Sequence, residues 1–239
     1  MKNNIPINKV SSDYAKLLNA FINSAVTIEN DNIISIFLTG SFARGEATEN
    51  SDLDIWCVFK TLDSSTLFKI GEIVRNLPIS YNNLEINAQC LTLDELKSKN
   101  FSKFLAYPIV NLEGILLFGI DLAIEKAKTY DVEKIYKEMI AEILLSVRHY
   151  IAVKEPVEKL THQKIKTWVL KPLMFALRLE RYLHTKQYPL TISDLSNAYN
   201  PTLISIKYYI DKNKWDFDLI NNYYSTLNAL HNEIEKLLK

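Results

Sequence analysis

Gly40-Ser41-Phe42-Ala43-Arg44-Gly45-Glu46-Ala47-Thr48-Glu49-Asn50-Ser51-Asp52-Leu53-Asp54-Ile55 is the stretch on which the fold turns. The chain has only five glycines, and two of them, Gly40 and Gly45, fall within six residues here, so the backbone is bent at this point. Glycine admits positive φ and close approach of backbone N–H groups to a ligand, a geometry suited to cradling a triphosphate, with Ser41 adding a hydroxyl. A plain strand-to-helix turn would use the same residues. Asp52 and Asp54 then stand at i and i+2 on an expected strand, so their carboxylates share one face while Leu53 and Ile55 take the other. Neighbouring carboxylates repel unless they are solvated or share a cation. Mg2+ suits them, being a hard ion bound by one or two carboxylates together with substrate phosphates.

Outward from this stretch, the residues before it predict a helix over Ser12 to Asn23, from the spacing of Tyr14, Leu17, Leu18 and Phe21, and a buried strand over Ile33 to Leu38 that runs into a loop. After it come a strand over Leu53 to Phe59, a helix over Leu62 to Asn76 stopped near Pro78, and a strand over Leu84 to Leu91. A helix over Leu93 to Asn100 and a strand or turn over Gly114 to Phe118 complete this half. From Val132 the pattern turns helical: Val132 to Ala152, Leu160 to His184, Ser193 to Ile210 and Asp218 to Leu238, with Pro172 and Pro201 expected to kink or break two of these. The expected fold class is α+β, a small mixed sheet with flanking helices followed by an all-α bundle. The boundary falls near Thr129 to Asp131, with domains taken as 1–125 and 126–239.

Gly-Ser followed after about ten residues by Asp-x-Asp at the head of a strand resembles the signature of the DNA polymerase β-like nucleotidyltransferases, Arg44-Gly45 and Ser51-Asp52-Leu53-Asp54 included. The motif spans roughly residues 36–59. The resemblance implies a Mg2+-dependent enzyme that moves a nucleoside monophosphate from an NTP, ATP being the expected donor, onto an acceptor with release of pyrophosphate. It implies that Asp52 and Asp54 hold two Mg2+ ions. The family's third carboxylate corresponds to Glu85, which would complete one metal site or deprotonate the acceptor hydroxyl; many members carry Asp there. Gly40 and Ser41 would hold the β- and γ-phosphates, and Arg44 would brace either the loop or the phosphates.

In the helical half, Lys171 and Arg178 lie seven residues apart on nearly one helix face and are expected to reach the triphosphate, although most of that helix reads as core. This half is similar to that of the aminoglycoside nucleotidyltransferases, which implies a small-molecule hydroxyl acceptor, an antibiotic among the candidates, and admits a homodimer. The Arg178-x5-His184 spacing also resembles the HEPN ribonucleases, but Leu179 replaces their usual polar residue. The alternative reading is regulatory: a nucleotidyltransferase that adenylylates a protein, as the minimal antitoxins do, or one that binds nucleotide without turnover. Trp56 and Tyr81 are the candidate base-stacking surfaces. His149, His162 and His231 show no metal-ligand spacing.

Composition narrows the classes. With 48% hydrophobic and 23% charged residues, 239 residues can bury a core without metal or disulfide staples. Net charge is zero, but residues 1–125 hold 10 Lys and Arg against 15 Asp and Glu, and the remainder 18 against 13. A neutral chain lacks the broad basic surface that an extended nucleic acid requires, and the acidic first half favours a polycationic small molecule. Cys57 and Cys90 sit in apolar strands and are expected as buried reduced thiols. The apolar stretch from Pro108 to Ile124 is interrupted by Asn111, Glu113 and Asp121, which argues against a membrane span. The start, MKNNIPINKV, lacks a secretory apolar run, so the expected location is cytoplasmic.

Overall fold

The computed structural model describes residues 12–48, 51–77, 85–98, 100–101, 109–110, 112–122, 130–152, 162–199, 203–210 and 215–238. The chain forms two compact units, Met1–Tyr130 and Asp131–Lys239.

The first unit is a four-stranded mixed sheet with helices. Helix α1 (Ser12–Glu29) precedes strand β1 (Ile33–Thr39); α2 (Gly40–Arg44) turns the chain back into β2 (Leu53–Phe59); then follow α3 (Ser64–Asn76), β3 (Ile86–Thr92), α4 (Leu93–Lys97) and β4 (Ile115–Gly119). The strand order is β3-β2-β1-β4. β1 pairs antiparallel with both β2 and β4, whereas β2 and β3 run parallel. A parallel pair needs a crossover rather than a hairpin, and α3 lies on that connection. Asp63 starts α3 by accepting the Thr66 N–H at 2.8 Å, and Thr92 and Glu95 form a capping box on α4.

Strand alternation sorts the side chains between two faces. Leu53, Ile55, Cys57 and Phe59 pack with Leu18, Phe21 and Ala25 of α1 and Ile70 and Ile73 of α3 into the main core. The other face carries a smaller apolar cluster that includes Phe37, Val58, Leu91, Leu96 and Val110, with Trp56 half-buried against it. That cluster covers one end of the face. The other end, where β2 begins, carries Asp54.

The second unit is helical: α5 (Val132–Ala152), α6 (His162–Ile165), α7 (Lys171–Thr185), α8 (Ile192–Ala198), α9 (Ile204–Ile210) and α10 (Trp215–Leu238). Ile140, Ile143, Leu144 and Val147 recur at helical spacing and are buried, as are Leu173, Met174 and Leu177 of α7 and Leu227, Leu230 and Ile234 of α10. Tyr136 donates its hydroxyl to the Leu237 carbonyl at 3.0 Å, and burial, aided by Glu180, pushes its phenol up to about 12.

Two expectations are corrected here and a third is met. The segment after β1 is a helical turn, not an open loop: Gly45 caps it in the left-handed conformation (φ 74°), its N–H bonded to the Phe42 carbonyl. The helix expected over Leu160 to His184 contains a π turn, Lys166–Leu170, directly before Pro172. Proline has no N–H and its ring crowds the carbonyl four residues back, and the wider turn, with Lys171 N–H bonded to Lys166 O, absorbs both. The break expected at Pro201 is present: the segment from Ser193 to Ile210 forms two helices, Ile192–Ala198 and Ile204–Ile210.

Candidate active site

The site is assembled where β1 ends and β2 begins. Antiparallel register pairs Thr39 with Asp54, and the buried Thr39 hydroxyl donates to the Asp54 backbone carbonyl at 3.3 Å. Gly40 follows with φ +71°, a conformation that side chains other than glycine rarely adopt. A Cβ at Gly40 would lie 2.1 Å from Asp54 Oδ2, so the missing side chain is what admits the carboxylate.

Asp52 is exposed and Asp54 half-buried, with the fully buried Leu53 between them on the core side. Ser51 N–H donates to Thr48 O at 3.0 Å and Thr48 N–H returns to Ser51 Oγ at 2.8 Å, which fixes the residue immediately before Asp52. Parallel pairing brings β3 alongside: Leu53 N–H donates to the Glu85 carbonyl at 2.9 Å, and Asp54 faces Asn87. With alternation, Asp52, Asp54, Glu85 and Asn87 share one face of the sheet. Glu85 is exposed at its edge. Asn87 Nδ2 donates to Asp54 Oδ1 at 3.0 Å, and Gln89 Nε2 donates to Asn87 Oδ1 at 3.1 Å.

Arg44 is the last residue of α2. Its Nη1 contacts Glu113 Oε1 at 2.9 Å and its Nε contacts Glu46 Oε2 at 2.8 Å, while the Gly40 N–H donates to the same Glu113 oxygen at 3.3 Å. Glu113 is 5% exposed and Arg44 half-buried, and the pair ties both ends of the α2 turn to the segment before β4. Arg44 therefore braces the turn. The sequence reading missed Glu113 as a member of the site, although an acid inside the apolar stretch from Pro108 to Ile124 was the available signal. Asn87 and Gln89 were missed as well, because nothing in an isolated strand says which residue it faces.

The donor set at this end of the sheet is carboxylate oxygen, the chemistry Mg2+ takes, and Asp52 and Asp54 supply the one or two acids such an ion uses alongside substrate phosphates. Among the described residues, no three His, Cys, Asp or Glu side chains are grouped so that they could hold a metal ion by themselves. Glu85 is thus brought to the same face without closing a three-acid cage.

The remaining expected site residues lie in the helical unit. Lys171 is exposed at the start of α7. Arg178 is 5% exposed and donates its Nε to the Pro189 carbonyl at 3.0 Å. His184 lies 3.3 Å from Glu180, whose carboxyl burial pushes up and which also accepts from the Tyr199 hydroxyl. Tyr81 and His162's side chain lie outside the described residues. Cys57 and Cys90 are free thiols, buried and half-buried, and no described helix is long and apolar enough to cross a membrane.

The family model of the nucleotidyltransferase domain matches residues 21–171. No curated protein sequence matches the chain. Among solved structures, the chain is similar to the spectinomycin adenyltransferase AAD(9) from Enterococcus faecialis, crystallised with ATP and spectinomycin, at 15% sequence identity and a TM-score of 0.49, over 92% of this chain and 99% of that one.

Proposed function

Because the chain belongs to the nucleotidyltransferase-domain family, we propose that it is a Mg2+-dependent nucleotidyltransferase that transfers AMP from ATP to a hydroxyl of a small molecule. The observation that carries this reading is the seat made for Asp54 by the bare Gly40, on the face that Asp52 and Glu85 share.

Asp52 and Asp54 would hold the metal. Gly40 and Ser41 receive the β- and γ-phosphates, with Arg44 holding their turn in place through Glu113. When bound, Mg2+ would lower the pKa of an acceptor hydroxyl and offset charge on the departing pyrophosphate. Glu85, exposed beside the Asp pair, takes the hydroxyl proton as the acceptor oxygen bonds to the α-phosphorus and the α–β bridging bond breaks. Lys171 is exposed and remains a candidate phosphate contact, whereas Arg178, 5% exposed and bonded to the Pro189 carbonyl, is committed within its own unit. A small acceptor is supported by the zero net charge, since an extended polynucleotide calls for a large basic excess, and the acidic surplus of residues 1–125 favours a polycationic one such as an aminoglycoside.

The test is pyrophosphate release from each of the four NTPs with Mg2+ and a panel of aminoglycosides, aminocyclitols and lincosamides, with Asp52→Ala/Asp54→Ala as control. Release that needs one antibiotic and disappears in the control establishes the activity and its acceptor. Silence with Mg2+-dependent NTP binding retained moves the acceptor to a protein or another metabolite. Loss of NTP binding as well defeats the catalytic reading.

A further inference from the structure

Asn87 occupies the position opposite Asp54 in the parallel β2–β3 ladder, and its amide is already committed to that carboxylate. The row continues outward along the edge strand. Gln89, two residues on and therefore on the same face, donates to the Asn87 carbonyl oxygen. An amide is the side chain this position calls for. A carboxylate at the same 3.0 Å would repel Asp54, and an apolar residue would supply no donor. Because Gln89 occupies the Asn87 carbonyl, the NH2 end of Asn87 is turned towards Asp54, and each hydrogen bond in the row polarises the next. Asp54 is thus held at Oδ1 by Asn87, while Oδ2 fills the space that a side chain on Gly40 would need.

We propose that Asn87 is a positioning residue for Asp54, oriented in turn by Gln89, and that the pair fixes the carboxylate in the rotamer that binds the divalent cation. The proposal rests on the reading of Asp52 and Asp54 as the metal-holding residues. The bonds that the two amides make in this row run to Asp54 and to each other. Their effect is on the orientation of one carboxylate, so it falls on metal affinity rather than on the chemistry of transfer.

The experiment is calorimetric titration of Mn2+ into the full chain in the presence of a non-hydrolysable ATP analogue, for the wild type, Asn87→Leu, Gln89→Leu and Asp54→Ala, with the Mg2+ dependence of turnover measured in parallel. Both amides are exposed, so the Leu variants are expected to fold, and thermal melting checks this. Losing a hydrogen-bond partner of a metal-ligating carboxylate costs about tenfold in affinity, the shift expected for Asn87→Leu. Gln89→Leu shifts affinity in the same direction by less. The kcat of Asn87→Leu recovers at saturating Mg2+, whereas that of Asp54→Ala does not. Mn2+ affinity in Asn87→Leu equal to that of the wild type overturns the positioning role, as does a loss of kcat that excess Mg2+ fails to restore. A wild type that binds the analogue with no dependence on Mn2+ overturns the metal-dependent transfer itself, and the positioning role with it.

Discussion

Asp54 and Gly40 compete for one volume: the Asp54 carboxylate occupies the space that a side chain on residue 40 would need, and Gly40 takes up a left-handed backbone to leave it free. The competition makes residue 40 the most sensitive position of the site. Gly40→Ala strains the backbone by roughly 1–2 kcal/mol and also drives Asp54 out of its place. The expected outcome is loss of NMP transfer out of proportion to the fall in melting temperature. A variant that keeps its kcat would show that Asp54 has another seat.

Glu113 and Arg44 form a second linked pair, joined at 2.9 Å with Glu113 almost free of solvent. Glu113→Leu leaves the Arg44 guanidinium without its buried acceptor and is expected to cost about 1.5–3 kcal/mol in urea unfolding. Because the guanidinium loses one of its acceptors while keeping Glu46, the double variant Arg44→Met/Glu113→Leu recovers part of the penalty. Strictly additive losses in the double-mutant cycle would refute the coupling.

The end of α1 is tied to α3 through Glu29, which accepts from Lys69 Nζ at 2.7 Å and from Asn32 Nδ2 at 3.0 Å. Those bonds, Lys69 first, hold its carboxyl below the ordinary value of 4.5. A depressed folded-state pKa gives stability that is complete above the unfolded value and drains away as the pH falls through the folded one. The urea midpoint of the wild type should therefore fall more steeply than that of Glu29→Gln between about pH 5 and pH 3. Parallel curves would mean that the pair contributes nothing.

Cys57 and Cys90 face each other across β2 and β3. The hydrogen bond from the Cys57 thiol, the larger influence, pulls Cys90 below the ordinary thiol value of 9.0, while the same bond, together with burial, pushes Cys57 well above it. With an aromatic disulfide reagent the half-buried Cys90 should react in the native protein and Cys57 only after denaturation. Cys57→Ala should move the pH midpoint of the Cys90 reaction upward. Equal reactivity of both thiols in the native state would contradict the arrangement.

Local pattern was enough to locate much of this molecule. The β-branched run from Ile33, the alternation from Leu53 to Phe59 and the apolar stripe from Val132 to Ala152 each mark their element to within a residue or so, because strand and helix periods depend on neighbours in the chain. The same alternation placed Asp52 and Asp54 on one face, and the clustering of Gly40 and Gly45 marked the bend beside them. Pro172 announced an irregularity, though not that it would take the form of a π turn.

What the sequence left open was which distant residues meet. Glu113 reaches Arg44 across 69 positions and Asn87 reaches Asp54 across 33, separations at which no local preference acts. Those partnerships follow from the strand order β3-β2-β1-β4 and its registers, which are set when the sheet packs its apolar face against α1 and α3. The sequence by itself determined the elements and the chemistry they carry, since both reside in short-range pattern. Only the tertiary structure decided which acid holds Arg44 and which amide holds Asp54, since burial and register choose partners that the chain does not place side by side.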